Sequence, residues 1–116
     1  MCIRDSWDNA QDQGAHAART LLADLAGGTG EPYAPIPWFW SDQYDRKIQV
    51  VGRTGSEHDV VVVTGSIAER KFVALYGRDG HLTAALGMNM PAKVMRWRQH
   101  VAGGLPWADA LELAAT

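Results

Sequence analysis

The chain has 116 residues, enough for one domain with a modest core, and 47% hydrophobic and 21% charged residues are typical of a globular protein. A net charge of −2 gives no sign of a nucleic-acid or membrane partner. Cys2 is the single cysteine, which excludes an internal disulfide and a cysteine zinc site. No apolar run approaches the length of a membrane span, so a cytoplasmic location is expected.

A helix is predicted over residues 8–26. Asp8 or Asn9 is suited to cap its start, and the Gly27-Gly28 pair ends it. Small residues on this helix allow close packing on a neighbour, although an ordinary amphipathic surface helix has the same pattern. Residues 27–32 are expected to be a linker. The helical spacing is carried by Gly14, Ala18, Leu21, Leu22 and Leu25.

An aromatic segment, Pro35 to Gln43, follows the linker. Three consecutive aromatic residues, Trp38-Phe39-Trp40, are costly to leave in water. The prolines before them favour an extended approach and are incompatible with a central strand. We therefore expect a fixed loop that carries the aromatics to a surface or a ligand, with Asp42 and Gln43 bonded to its backbone. A turn that fills the domain's own core is equally compatible with the residues.

The middle of the chain predicts four strands joined by short turns. They are expected over residues 47–51, 59–64, 71–76 and 81–88, where apolar and β-branched residues recur. The Asp79-Gly80 pair indicates a tight hairpin between the last two strands. The fold class is therefore α+β, with an antiparallel meander of about four strands, one helix before it and helices packed after it.

Two helices are predicted after the sheet. Pro91 opens the first, where its missing N–H costs nothing, and Pro106 opens the second. The first has an apolar face and a basic face, and the basic face is suited to steering an acidic partner, although a solvated face is the commoner case. The basic residues are Lys93, Arg96, Arg98 and His100.

No catalytic or metal-binding constellation stands on its own. The four histidines are scattered and lack the spacing of metal ligands. Ser41-Asp42 has no histidine nearby in sequence and no Gly-x-Ser-x-Gly context. Neither a Gly-x-Gly-x-x-Gly loop nor a P-loop is present, so the chain has no dinucleotide-binding loop of its own.

The motif Pro-Trp-Phe-Trp-Ser-Asp-Gln-Tyr-Asp, residues 37–45, resembles the C-terminal domain of FAD-dependent NAD(P)H–ferredoxin reductases of the putidaredoxin-reductase and dioxygenase-reductase type. The stretch Trp7-Asp8-Asn9-Ala10-Gln11-Asp12-Gln13-Gly14 resembles the end of that family's FAD-binding domain. Residues 72–76 and 79–82 are similar to a later hairpin of the family. Asn89 departs from the pattern, since Met90 stands between it and Pro91.

The resemblance implies a division into residues 1–30, the end of an FAD-binding domain, and residues 31–116, the reductase C-terminal domain. It implies FAD as cofactor, NAD(P)H as substrate and a [2Fe-2S] ferredoxin as partner. Trp40 is expected at the edge of the flavin ring, with Trp7, Ala10 and Phe39 near it. The helix that begins near Trp7 is expected to point its N-terminus at the flavin.

The resemblance also implies a fragment of a longer parent, inactive alone, whose FAD- and NAD-binding domains are missing here. Residues 1–6 do not match the family and are interpreted as a translated sequencing adapter, with a natural tail as the alternative. Uncovered aromatics at residues 7 and 38–40 are expected to favour self-association. A free-standing interaction module that grips a protein partner without a flavin remains the alternative function.

Overall fold

A computed structural model describes residues 7–115; the segment interpreted as an adapter, residues 1–6, and Thr116 lie outside the described residues. Three helices are present: α1 (Trp7–Leu25), α2 (Pro91–Ala102) and α3 (Trp107–Ala115). The strands are β1 (Trp38–Gln43), β2 (Arg46–Gly52), β3 (Asp59–Ser66), β4 (Lys71–Arg78) and β5 (His81–Met88). The α+β class is confirmed, with one helix before the sheet and two after it.

The sheet has five antiparallel strands rather than four, in the order β1-β2-β5-β4-β3. The additional strand is β1, so the prediction of an aromatic loop was wrong for residues 38–43. The prolines exclude a central strand but not this one, because Pro35 and Pro37 precede β1 and β1 lies at an edge. The edge therefore accommodates a segment whose proline content argued against a strand.

The β4–β5 hairpin turns at Asp79-Gly80, as predicted. Both residues have positive φ, 54° and 76°, which is the conformation of a type I′ turn. Glycine adopts that conformation without penalty, and aspartate is one of the few other residues that tolerate it. The pairing of Arg78 with His81 fixes the hairpin register on either side of the turn.

Helix α2 packs closely on one face of the sheet, which we call the helix face. Val51, Val73 and Leu75 from this face are fully buried, together with Val94 of α2. A Cβ atom added at Gly87 would lie 2.1 Å from Cγ2 of Val94, so α2 sits where only glycine leaves room. This close approach brings the side chains of α2 next to those of β1.

The opposite face of the sheet carries a row of apolar residues that crosses all five strands. The strand register aligns Phe39, Val50, Leu86, Ala74 and Val62 in that row. Successive residues of a strand point to opposite faces, so the neighbours of Phe39 in β1 lie on the helix face. Strand β1 therefore presents different aromatic residues on its two sides.

Candidate functional site

A cluster of three tryptophans lies where α1 meets β1, and we call Trp7, Trp38 and Trp40 the tryptophan cluster. Alternation along β1 places Trp38 and Trp40 on the helix face, with ring centroids 4.8 Å apart. The first residue of α1 brings Trp7 edge-on against Trp40, at 5.8 Å and an interplanar angle of 87°. Offset and edge-to-face geometries are those that aromatic pairs prefer. Two segments far apart in the sequence thus form one aromatic surface.

Arg98 of α2 completes the cluster. Its guanidinium carbon lies 6.0 Å from the ring centroid of Trp38, at the limit of a cation–π contact. Burial raises the pKa of the Asp8 carboxyl, the nearby Asp12 carboxylate adds to the rise, and Arg98 opposes it. The charges of α1 and α2 therefore meet beside the rings, and Arg98 offsets part of the acidic character of the α1 start.

The indole N–H of Trp38 is a further feature of the cluster. Its Nε1 atom is buried and has no hydrogen-bond acceptor within residues 7–115. A buried donor without a partner costs on the order of 1–3 kcal/mol. Trp7, by contrast, is 63% exposed and presents a flat apolar surface to solvent. The exposed Trp7 ring is therefore the part of the cluster on which a planar group can stack, whereas the Trp38 N–H lies below the surface.

Tyr33, the residue after the linker, is hydrogen-bonded to α1. Its hydroxyl donates a hydrogen bond to Oδ1 of Asn9 at 2.6 Å, and its ring lies 5.2 Å from that of His16. Burial raises the pKa of Tyr33, and the carboxylates of Asp12 and Asp8 raise it further. The segment between the linker and β1 therefore has a defined path over α1. An open cleft of about 610 Å³ lies beside it, between α1 and α2.

Asp42 and Gln43 do not make the backbone bonds that we expected. Lys47 lies across the strand pair, with its Nζ atom 3.2 Å from Oδ1 of Asp42. Nε2 of Gln43 donates to Oγ of Ser41 at 2.8 Å. Both residues lie in β1 rather than in a loop, so their backbone groups belong to the strand and their side chains find other partners.

Asn89 has a positional role that the sequence did not reveal. Its Oδ1 accepts from the backbone N of Lys47 at 2.7 Å, and its Nδ2 donates to the carbonyl of Asp45 at 3.3 Å. Its φ is 56°, a left-handed conformation that asparagine tolerates. Asn89 therefore ties the β1–β2 turn to the start of α2, and Met90 takes the N-cap position before Pro91.

The basic residues of α2 do not form one face. Arg98 lies beside Trp38 and lines the cleft next to α1. Lys93, Arg96 and His100 line a different groove, of about 400 Å³, toward α3. A step of two residues along a helix, from 96 to 98, turns the side chain by about 200°. The prediction that Lys93, Arg96 and Arg98 share a face was therefore wrong.

The four predicted flavin neighbours fall into two groups. Trp7 and Trp40 touch, and Ala10 is exposed one turn further along α1. Phe39 lies on the opposite face of the sheet, paired with Val50. Flavin contact by these four residues remains a prediction. Sequence reasoning missed Tyr33. It assigned Asn9 only to a helix cap and Arg98 only to a basic face, and no local signal in the sequence links these residues to the tryptophans.

Two further kinds of site find no support in the described part of the chain. Across residues 7–115, no group of three histidine, cysteine or acidic side chains is placed to hold a metal ion. None of the helices there is long and apolar enough to cross a membrane.

Fold and site define a small α+β domain that presents an aromatic cluster at one edge of its sheet. The family model described as "Reductase C-terminal" matches residues 38–114, and the chain belongs to this family. The match covers the whole sheet and almost all of the two helices after it. It begins at Trp38, so α1 and the linker lie before the matched region.

Several relatives and solved structures to which the chain is similar are named as ferredoxin reductases. It is 40% identical over 100 residues to the 5,5'-dehydrodivanillate O-demethylase ferredoxin reductase subunit of Sphingobium sp., covering 86% of this chain and 23% of the relative. It is 37% identical over 101 residues to the anthranilate 1,2-dioxygenase system ferredoxin–NAD(+) reductase component of Burkholderia cepacia, covering 86% of this chain and 23% of the relative.

The same likeness appears in solved structures. The covalent putidaredoxin reductase–putidaredoxin complex is similar with a TM-score of 0.65 and 30% identity, over 91% of this chain and 25% of that one. The structure of Fdr9 is similar with a TM-score of 0.70 and 31% identity, over 86% and 25%. The chain thus spans about a quarter of the length of the proteins that it matches.

Proposed function

We propose that the chain is the C-terminal part of an FAD-dependent reductase that passes electrons from NAD(P)H to a [2Fe-2S] ferredoxin of an oxygenase system. Its family and the names of its relatives support this role. Residues 1–30 then belong to the FAD-binding domain and residues 31–116 to the C-terminal domain, in a cytoplasmic protein. Without dinucleotide-binding loops, the chain alone has no reductase activity.

The contact between Trp7 and Trp40 is the observation that carries the site assignment. It joins the start of α1, which the resemblance directs at the flavin, to the aromatic strand. The exposed Trp7 ring offers a flat apolar surface that suits a planar ring system. When bound, FAD supplies hydride acceptance and one-electron transfer to the ferredoxin.

The residues of the chain then shape the environment of that ring. Trp40 supplies a flat apolar surface that limits the access of water to the flavin edge. Arg98 lies over the ring of Trp38 at the limit of a cation–π contact, and Trp38 in turn packs against Trp40. The resemblance directs the start of α1 at the flavin, where backbone N–H groups would offset negative charge on the reduced ring.

A ferredoxin partner suits the arginines of α1 and α2. Arg19 and Arg98 line the cleft between these helices together with Asp12 and Glu31, and Arg98 also lies beside Trp38. One solved relative is a complex of a reductase with putidaredoxin. Positive side chains near the electron exit steer an acidic partner and raise its association rate at low salt. The expected mode of docking is therefore electrostatic and sensitive to ionic strength.

A chimera tests the proposal. The chain is joined to the FAD- and NAD-binding portion of a family reductase, and Trp40→Ala is compared with Tyr44→Ala, which removes a fully exposed aromatic ring in the β1–β2 turn. We expect Trp40→Ala to change the flavin absorbance spectrum and the rate of ferredoxin reduction, and Tyr44→Ala to change neither. If the chimera holds FAD and both variants match the parent, the site assignment is wrong, and the interaction-module alternative becomes the better account of the aromatics.

A further inference from the structure

The two edges of the sheet are protected to different degrees. At the β1 edge, Pro35 and Pro37 precede the strand, and Trp7 packs against Trp40. An ion pair between Asp42 and Lys47 adds charge there. Prolines, charges and a covering element are the usual means by which an edge strand avoids pairing with another chain.

The β3 edge has no proline and no lysine, and its protection is limited to contacts with α3 and a register shift near Val63. Within its eight residues, Val60, Val61 and Val62 are 52%, 39% and 37% exposed, and no lysine or proline interrupts them. Because neighbouring residues of a strand point to opposite faces, these valines are exposed on both sides of the sheet. Apart from the pairing with β4, no hydrogen bond of the β3 backbone is found within residues 7–115.

We propose that β3 pairs with β3 of a second copy of this chain, antiparallel and centred on Val61. Such a pair has two-fold symmetry and joins two five-stranded sheets into one of ten strands. Val61 then faces Val61 of the second copy, and Val60 faces Val62. Asp59 falls opposite Val63, so no carboxylate is placed against another.

The size of the contact predicts a reversible dimer. Three valines and a short backbone ladder bury far less than the roughly 1,200 Å² of a standard stable interface. A register shift between Val62 and Thr64 ends regular pairing on that side and keeps the contact short. We therefore expect a monomer at micromolar concentration and a dimer at millimolar concentration.

The proposal is independent of the flavin site. Strand β3 lies at the other edge from β1, four strand spacings or about 19 Å away. A dimer through β3 therefore leaves the tryptophan cluster free. It also differs from self-association through the aromatic segment, because Trp38, Phe39 and Trp40 are partly buried by the chain itself.

Charged substitutions at the centre of the contact give the test. Val61→Lys brings two ammonium groups face to face across the two-fold axis, and Val61→Glu brings two carboxylates together, while a mixture of the two variants brings opposite charges together. By analytical ultracentrifugation we expect the dimer dissociation constant of each variant alone to be at least about tenfold higher than that of the parent. We expect the mixture of the two variants to form dimers again. Leu22→Lys, on an exposed residue of α1, is the matched control and leaves association unchanged.

Hydrogen exchange reports the contact directly. In the parent chain, amides of β3 become protected as concentration rises, while those of β1 do not. Circular dichroism confirms that each variant is folded, and Val61→Thr, which keeps a β-branched residue, weakens the dimer less than Val61→Lys. A parent that stays monomeric at millimolar concentration, protection confined to β1, or an equal effect of Leu22→Lys would overturn the proposal.

Discussion

Gly87→Ala tests the close packing that brings α2 to the tryptophan cluster. The added Cβ would lie 2.1 Å from Cγ2 of Val94, against an ordinary carbon–carbon contact of about 3.5–4.0 Å. Relief requires that α2 moves by about 1.5 Å or that Val94 leaves its rotamer, and Val94 is fully buried and stiff at χ1. Both responses disturb the packing of α2 on the sheet, and α2 also carries Arg98.

The cost of this overpacking is expected near the upper end of the usual range, about 3 kcal/mol in the free energy of unfolding. For a domain of this size that lowers Tm by roughly 10–20 °C. Gly103→Ala, at the C-cap of the same helix, is the matched control, since the φ of Gly103 is −80° and an added Cβ meets only an ordinary contact at 3.5 Å. We expect it to be neutral or slightly stabilising, by at most about 1 kcal/mol.

Urea unfolding followed by tryptophan fluorescence measures both variants. The double variant Gly87→Ala/Val94→Ala removes the clash, so its loss of stability should be smaller than the sum of the two single losses by about 1–3 kcal/mol. A Gly87→Ala chain as stable as the parent would refute the close approach of α2. If the loss of stability in the double variant equals the sum of the two single losses, the Val94 side chain is not what excludes a side chain at residue 87.

Two further predictions concern the contacts that order the turn and the linker. Asn89→Ala removes the hydrogen bonds to Lys47 and Asp45 and strains a left-handed backbone, so we expect the free energy of unfolding in urea to fall by about 2–3 kcal/mol. Asn89→Gly adopts the same backbone conformation without strain and should lose less stability. Equal losses in the two variants would show that strain is absent. Tyr33 has a raised pKa in the folded chain, so the contribution of its neutral hydroxyl to stability is present below about pH 10 and is lost as pH rises through the folded pKa. The parent should therefore lose more stability than Tyr33→Phe between neutral pH and high pH, and parallel pH profiles would contradict a raised pKa in the fold.

Local patterns were sufficient for much of the secondary structure. The β-branched run of β3, the Asp79-Gly80 turn and Pro91 at the first position of α2 each depend on residues close in the chain. The α+β class follows from them, since short turns between consecutive strands imply antiparallel pairing. The aromatic motif at residues 37–45 was likewise readable as a family resemblance, and the family match confirms it.

Tertiary structure decided what the local patterns left open. Residues 38–43 have prolines before them and became a strand only because β2 offers a partner at the edge of the sheet. The alternation of that strand then put Trp40 with Trp7 and sent Phe39 to the other face. Arg98 meets Trp38 only because Gly87 lets α2 approach so closely. These contacts join residues far apart in the chain, and no local preference of one segment specifies the position of another.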